Sequence, residues 1–355
     1  MKDFLSNLKT VQSKVNVSII LNTHRTRPDN QQDRIVLKNL IKEAEDRLNK
    51  DYDKTLIAKI TEQLHQCAEK IDHEHNQEAL VIYVNESYAE YHRISIPVIN
   101  RVVIDPRFAT RDLIRSKTLE NKFHALVLSK HIAKLYAIKS SHEIEELNGA
   151  FPLLNHHVPA DPLMQSTNKG QDNLVEEFFN MVDKQVNKSV PNPKENILLL
   201  TDSRNYDHYS KVADHKNKIA GYISGNFENS TTHQILSQSW EFMSSKNQGS
   251  IQLKMEDLEK AQKSGKVISD ISEIWRSIKE GKGQTLFVHK DLQYSAIIQN
   301  DQIQSLDNGI SDEKFAIDDV VDEMIENCIL QSGEVVFVSD DRLSDYQGLA
   351  LSLRY

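Results

Sequence analysis

The sequence predicts a mixed α/β protein made of three domains. Short runs of β-branched and apolar residues alternate with segments whose apolar residues recur at helical spacing, which is the pattern of domains that layer helices on sheets. A length of 355 residues is enough for two or three domains, each with its own core. We place the domain boundaries at residues 1–116, 117–235 and 236–355.

The first domain opens with a predicted buried strand at 17–21 and a predicted amphipathic helix at 32–49. A second helix carries Ile57, Ile60, Leu64, Cys67 and Ile71 on one face, and a strand follows at 79–84. Between the first strand and the first helix lie His24, Arg25, Arg27 and Arg34, which we call the basic elbow. Basic side chains beside a helix N-terminus can bind an anion such as an RNA phosphate. The alternative is a solvated loop.

The other two domains repeat the alternation. Paired strands begin near His124, a helix follows at 174–187, and a strand at 197–201 comes after a proline-containing linker. In the third domain we expect three helical segments between 234 and 280, the last ending near Gly281. A strand at 285–289, a helix from Ile317 to Cys328 and a strand at 334–338 complete an α/β sandwich.

Composition excludes several classes of protein. Charged residues make up 27% and apolar residues 39% of the chain, which is typical of globular domains, and no apolar run is long enough to cross a bilayer. The first fifteen residues lack the apolar core of a signal peptide, so we expect a cytoplasmic protein without membrane contact. Cys67 and Cys328 each fall on an apolar helix face and are expected to be buried free thiols.

The net charge of −9 argues against nonspecific nucleic-acid binding by the whole surface. Residues 236–355 contain 12 Lys and Arg against 21 Asp and Glu, so this segment alone carries a net charge of −9. The first two thirds of the chain are close to neutral and can present local basic patches. An acidic third domain suits a protein partner better than a phosphate backbone.

Three stretches resemble a known family. The strand that ends in Thr-His-Arg and continues into QQDRIVLKNL, the segment FHALVLSKHIAKLYAI at 123–138, and the closing segment GEVVFVSDDRLSDYQGLALSLRY at 333–355 occur in that order. Together they resemble the bacterial archaeo-eukaryotic release factor family, most closely its third group, whose relatives are the archaeal and eukaryotic release factors and Pelota. The resemblance implies a ribonuclease-H-like middle domain and a C-terminal domain like the kink-turn-binding ribosomal proteins.

The resemblance also implies a candidate catalytic loop. In release factors the segment before the middle-domain helix holds a Gly-Gly-Gln loop, in which the Gln helps water attack the peptidyl-tRNA ester. Residues 163–173 occupy this place, and Asn173 with Glu176 resembles a helix capping box. Gly170 and Gln171 keep the Gly-Gln pair as candidate catalytic residues, but Lys169 replaces the first glycine. We therefore expect no efficient ester hydrolysis and a role for Lys169 in contacting RNA.

The segment 204–218 is a second candidate for RNA binding. Arg204, Lys211, Lys216 and Lys218 are interleaved with Tyr206 and Tyr209, a mixture that can bind single-stranded nucleic acid. The alternative is a helix with lysines on its wet face. A second Gly-Gln pair, at Gly283 and Gln284, is interpreted as a turn.

Other chemistries lack support in the sequence. The histidines His65, His73 and His75, and the pair His156 and His157, lack partners at recognised ligand spacing, so we predict no metal site and no cofactor. The strands at 123–129 and 197–201 carry no internal acid for a Mg²⁺-dependent nuclease, and Asp202 is expected to cap the following helix. No serine-hydrolase elbow, Walker loop or dinucleotide fingerprint occurs.

These observations favour a monomeric, tRNA-shaped protein that binds ribosomal RNA through its first two domains. It would act in termination, rescue of stalled ribosomes or protection of idle ribosomes, and codon-specific termination is the least favoured of these roles. One alternative is a non-ribosomal protein that recruits a protein partner through its acidic third domain. A third hypothesis is a peptidyl-tRNA hydrolase that uses Gln171.

Overall fold

The computed structural model describes residues 5, 7, 8, 10, 11, 13–119, 122–156, 168–299, 302–305 and 316–355. The chain divides into two compact units, one made of Met1–Leu119 with Ile251–Tyr355 and the other of Glu120–Ser250. The predicted first domain and most of the predicted third domain therefore belong to one unit. The division into three domains stays a prediction.

The described residues form a mixed α/β structure, as predicted. Its longer helices are α1 (Asn30–Asp51), α2 (Lys54–Glu69), α3 (Arg111–Leu119), α4 (Asn168–Ser189), α5 (Ser203–Val212), α6 (Thr232–Lys263), α7 (Ile271–Lys279) and α8 (Val320–Leu330). Its strands are β1 (Asn16–Asn22), β2 (Ala79–Val84), β3 (Ala89–Ile94), β4 (Arg101–Asp105), β5 (Phe123–Leu128), β6 (Ile132–Ser140), β7 (Glu143–Glu146), β8 (Leu153–Leu154), β9 (Asn196–Thr201), β10 (Ile219–Ser224), β11 (Val267–Ile268), β12 (Gly283–His289), β13 (Ala296–Gln299), β14 (Gln302–Ser305), β15 (Ala316–Ile317), β16 (Glu334–Val338) and β17 (Leu349–Leu353).

The N-terminal part of the first unit is an antiparallel sheet in the order β3-β2-β1-β4. Strand β1 is buried almost throughout because both faces of the sheet are covered. Ile19 packs with the apolar stripes of α1 and α2, whereas Ile20 points to the other face and packs with Phe108 and Leu113. The apolar residues of α1 recur every three or four positions, so a single face of this helix covers the sheet.

The C-terminal part of the same unit has a sheet in the order β11-β17-β12-β16, in which β12 runs parallel to β16 and antiparallel to β17. Ile274 and Trp275 of α7 and Met324 of α8 pack on one face of this sheet. The C-terminal turns of α6 cover the other face through Met255 and Leu258. The chain segment between β12 and α8 forms a small antiparallel sheet in the order β14-β13-β15.

Buried and half-buried ion pairs join these two parts of the first unit. We call this region the arginine seam, and its members are Arg47, Arg107 and Arg111 on one side and Asp318, Asp319, Asp322, Glu323 and Glu326 on the other. Arg111 Nη2 lies 2.8 Å from Asp319 Oδ2, and both side chains are almost fully buried. Arg47 Nη2 lies 2.5 Å from Asp318 Oδ2.

Backbone groups complete the seam. The amide of Arg111 donates to Asp322 Oδ1 at 2.9 Å, and the amide of Asp318 donates to Asp105 Oδ1 at 2.7 Å. The Thr110 hydroxyl donates to Glu326 Oε1 at 2.6 Å. Five carboxylates that make the predicted third domain acidic thus face the predicted first domain, where they contact arginines, a hydroxyl and backbone amides.

Burial raises the pKa of several carboxyl groups in the seam. The pKa of Asp105 lies well above its ordinary value because of desolvation and the nearby charge of Asp318. Desolvation, partly opposed by Arg111, raises the pKa of Asp319 to about 7. The pKa of Asp322 is raised for the same main reason. The seam therefore holds its acids more readily in the protonated form than water does.

The second unit is built on a sheet in the order β10-β9-β5-β6-β7, with β8 paired to β6. Strands β5, β9 and β10 are mutually parallel, and β6 and β7 continue antiparallel. Helices α4 and α5 pack on one face, where Phe179 and Tyr209 meet edge to face. The N-terminal turns of α6 cover the other face with Leu236 and Met243.

Several boundaries differ from prediction. Two helices, α6 and α7, replace the three helical segments expected between 234 and 280, because the polar stretch near Gly249 continues α6 without a break. Ile317 belongs to β15 rather than to α8, and Gly283 begins β12 at a bulge instead of forming a turn. Helix α7 ends as predicted, with Gly281 at a φ of 71° just after it. Both cysteines are buried free thiols, as predicted.

Candidate functional site

A cleft lies at the carboxyl ends of the parallel strands of the second unit. Loops that follow such strands diverge from the sheet and leave a crevice in which α/β proteins commonly bind ligands. This cleft has a volume of about 520 Å³. It is lined by Leu128, Ser129, Lys130, His131, Asp172, Val175, Asp202, Arg204, Asn205, His208, Gly225, Asn226, Phe227 and Glu228.

The predicted catalytic residues, Gly170 and Gln171, directly precede the cleft residue Asp172 in the sequence. Helix α4 begins at Asn168, so the backbone of Lys169, Gly170 and Gln171 lies in its first turn, next to the lining residue Asp172. Residues 163–167 of the predicted loop lie outside the described residues. The chain from Asn168 onward therefore has helical geometry where the resemblance implied a glycine-rich loop.

The predicted capping box is wrong. Because α4 starts five residues before Asn173, this side chain lies inside the helix and is exposed. Glu176 was its expected partner, but its Oε1 instead lies 2.9 Å from Nδ1 of His208. The apolar stripe that starts at Val175 correctly indicated the buried face, but it could not show that the helix continues for two turns beyond it.

Two carboxylates of α4 face three basic side chains of α5. Arg204 Nη2 donates to Asp172 Oδ1 at 2.7 Å. His208 lies between the two acids, with Nε2 at 3.9 Å from Asp172 Oδ1. Lys211 Nζ lies 3.8 Å from Glu176 Oε1. Arg204 and Lys211, both predicted to bind nucleic acid, thus have acidic neighbours.

The rest of the segment 204–218 is divided between core and surface. Asp202 caps α5 by accepting from the amide of Asn205 at 2.8 Å, as predicted. Tyr209 is buried and its hydroxyl donates to Asp183 at 3.0 Å. The prediction that Lys218 contacts nucleic acid is wrong, because its ammonium is buried and donates to the carbonyl of Val190 at 2.7 Å. Lys216 is exposed and stays a prediction.

The basic elbow in the first unit carries acidic partners that sequence reasoning missed. Arg25 Nε donates to Glu78 at 2.9 Å, and Arg27 Nη2 donates to Glu74 at 2.6 Å. Arg34 is exposed on α1. The ion pairs link the elbow to residues about fifty positions later, and no local spacing indicates such a pairing.

Asp33 organises the elbow from within. Its carboxylate is only 1% exposed and accepts from the amide of His24 at 2.9 Å and from Asn76 Nδ2 at 2.7 Å. His24 Nδ1 lies 2.8 Å from the other carboxylate oxygen, so the imidazole is held with its other nitrogen away from Asp33. Burial and the charge of Arg34 lower the pKa of the neighbouring His73. In the sequence, the position of Asp33 in the first turn of α1 was the feature that could have indicated this role.

The histidines of the sequence do not converge within the described residues. His65 lies 2.9 Å from Glu45, and His75 lies 2.7 Å from Asp72. His157 lies outside the described residues. The part of the chain that the structure describes contains no group of three or more His, Cys, Asp or Glu side chains that could hold a metal ion.

The family comparison matches a segment that includes nearly all of the second unit. Residues 122–282 match the model of bacterial archaeo-eukaryotic release factor family 3. This segment of the chain is therefore similar to that family. The match contains the cleft, α4 and α5, and the predicted resemblance is confirmed. No curated protein matches the chain.

Solved structures similar to the chain come from archaea and yeast. An archaeal translation termination factor, aRF1, is 14% identical, with a TM-score of 0.25 over 100% of this chain and 98% of that chain. Pelota of Archaeoglobus fulgidus is 11% identical, with a TM-score of 0.34 over 100% of this chain and 92% of that chain. Dom34 of Saccharomyces cerevisiae, a translation termination-like factor that interacts with Hbs1, is 12% identical, with a TM-score of 0.40 over 78% of this chain and 74% of that chain.

Among the described residues, no helix combines the length and the apolar character needed to span a membrane.

Proposed function

We propose that the protein is a release-factor-like translation factor that associates with the ribosome and does not hydrolyse the peptidyl-tRNA ester efficiently. The single observation that carries the proposal is the family match over residues 122–282, which contains the segment where release factors place their Gly-Gly-Gln loop. Stalled-ribosome rescue and protection of idle ribosomes both fit this role.

The first turn of α4 supports the absence of efficient hydrolysis. Glycine is useful in a reaching loop because it adopts positive φ values freely, and a helical turn makes no use of that freedom. Lys169 adds a long cationic side chain where the family's motif has glycine. A cation at this place suits contact with an rRNA phosphate better than the delivery of a water molecule to an ester.

The alternative of a module that recruits a protein partner through its acidic third domain gains little from the structure. Five of that domain's acids contact arginines in the seam. Three of them are buried and the other two are only 12% exposed, which leaves them inaccessible to another protein. We therefore rank ribosome association first.

The first experiment is a sucrose-gradient profile of the tagged full-length protein from growing and starved cells. We expect a fraction of the protein in the ribosomal peaks under at least one condition, and this fraction should fall as the salt concentration rises. Protein that stays in the top fractions under both conditions, while a tagged ribosomal protein in the same extract sediments normally, would remove the ribosomal role.

The second experiment compares two substitutions in the first turn of α4. Lys169→Glu is expected to weaken ribosome binding several-fold because it replaces the cation proposed to contact rRNA phosphate with an anion. Gln171→Ala is expected to leave binding within about twofold, since the proposed role does not use the amide. A larger loss of binding for Gln171→Ala than for Lys169→Glu would favour the hydrolase hypothesis.

A further inference from the structure

The contacts between α4 and α5 form a small charged cluster that we call the helix clamp, made of Asp172, Glu176, Arg204 and His208. Asp172 and Glu176 are four residues apart, as are Arg204 and His208, so each pair lies on one side of its helix. His208 contacts both carboxylates, and its side chain is 12% exposed. Arg204 reaches across to the more N-terminal acid.

Below the clamp the two helices are held firmly. Tyr209 is buried against Phe179, and its hydroxyl donates to Asp183, which also accepts from the amide of Asp214 at 3.1 Å. The buried stripe of α4 begins at Val175. Residues 168–171 therefore lie N-terminal to the first apolar residues of α4 that pack in the core.

A helix end of this kind frays easily. Its first amides have no intrahelical acceptor, and local opening costs little free energy where few apolar contacts hold the chain. Among the described contacts, those of Asp172 are the ones nearest to this turn.

We propose that Arg204 and His208 are positioning residues: through Asp172 and Glu176 they hold the first turn of α4, which contains Lys169, Gly170 and Gln171. The ribosomal role of this turn rests on the proposed function, whereas the stabilisation of the turn by the helix clamp does not. The positioning role is an alternative to the prediction that Arg204 contacts RNA directly. The guanidinium binds a carboxylate of its own chain but its side chain is 70% exposed, and the charge reversal described below distinguishes the two roles.

The direct test is hydrogen exchange of the amides of residues 172–176 in the full-length protein, since these amides bond to the carbonyls of the first turn. We expect Asp172→Asn and Arg204→Gln each to speed exchange here by roughly fivefold, the factor that corresponds to an exposed ion pair at the upper end of its usual strength. Glu177→Gln, which removes an exposed acid from the same helix, is the matched control and should change nothing. The exchange of residues 179–186 should stay as in the unchanged protein.

Reversal of the charges separates positioning from RNA contact. The double variant Asp172→Arg with Arg204→Asp should restore slow exchange and most of the ribosome binding lost by Arg204→Asp alone. Failure of the reversal to restore binding, with slow exchange restored, would assign Arg204 to RNA and overturn the inference. Equal exchange in all variants would also overturn it, even if the protein binds ribosomes. Faster exchange in a protein that never binds ribosomes would uphold the clamp and remove the proposed function instead.

Discussion

Arg27 in the basic elbow and Arg111 in the arginine seam both face carboxylates, but they differ in their access to water. The Arg27 side chain is 66% exposed and its partner Glu74 is 52% exposed, whereas Arg111 and Asp319 are 1% and 3% exposed. Exposed pairs contribute little to stability and exchange partners readily, while a buried charge depends on its partner. The elbow can therefore release Arg27 to an RNA phosphate, whereas the seam cannot release Arg111.

The largest effect is expected from Arg111→Ala. This change leaves Asp319 and Asp322 buried without their cation, and removing one partner of a buried pair typically costs about 3–5 kcal/mol. Chemical denaturation of the full-length protein, followed by a probe in the first unit, measures the loss. Arg27→Ala is the matched elbow variant and should leave the free energy of unfolding nearly unchanged, because its pair with Glu74 is exposed. Similar losses for the two variants would mean that the seam is not structural.

The same contrast recurs in the second unit between Lys218 and Lys216. Lys218→Met should lower the free energy of unfolding by about 1–3 kcal/mol, because the buried carbonyl of Val190 loses its donor. Lys216→Met should leave stability unchanged, since this side chain is exposed. Thermal unfolding of both variants checks the pair. A stable Lys218→Met variant with impaired ribosome binding would instead support the prediction that Lys218 contacts RNA.

A pH titration sharpens the description of the seam. Asp105, Asp319 and Asp322 have raised pKa values in the folded state, so this unit keeps their protons at pH values where the unfolded chain has lost them. For Asp319 this stability is full below the ordinary carboxyl pKa of about 3.9 and is lost as the pH rises through about 7. Asp105 and Asp322 change stability in the same direction, because their pKa values are also raised. Asp319→Asn should flatten this dependence. The exposed Asp340, whose pKa is lowered by Arg342, serves as the control: Asp340→Asn should leave the dependence in place.

The smallest effect on stability is expected in the elbow. Arg25→Glu with Arg27→Glu should leave the melting temperature nearly unchanged but weaken ribosome binding, and should reduce the slope of log affinity against log salt by about 2. Glu74→Gln with Glu78→Gln frees the same arginines and should strengthen binding. Unchanged affinity in both double variants at all salt concentrations would identify the elbow as a solvated loop.

The sequence indicated those parts of the fold that local patterns encode. The strand at Glu334–Val338 and the strand at Ala79–Val84 were predicted with their observed bounds, because β-branched runs between turn residues are unambiguous. The capping role of Asp202 was equally local. The start of α4 could not be predicted in this way, since its first turn lies N-terminal to the apolar stripe that identifies the helix.

The candidate site could be predicted only by residue type. Basic residues at 24–34 and 204–218 were visible in the sequence, but their partners Glu74, Glu78 and Asp172 lie far along the chain or on another helix. The acidic character of residues 236–355 indicated a protein partner. The structure places five of those acids against arginines of the same chain, an outcome that charge counts cannot distinguish from an external partner.

The measurement that tests the central claim most directly combines binding and chemistry in one sample. Purified full-length protein is incubated with ribosomes that carry labelled peptidyl-tRNA, and the mixture is separated by sedimentation and assayed for free peptide. We predict saturable, salt-sensitive co-sedimentation, with peptide release no more than about twice that of buffer and unchanged in Gln171→Ala. Rapid release that depends on Gln171, or the absence of co-sedimentation at low salt, would contradict the account.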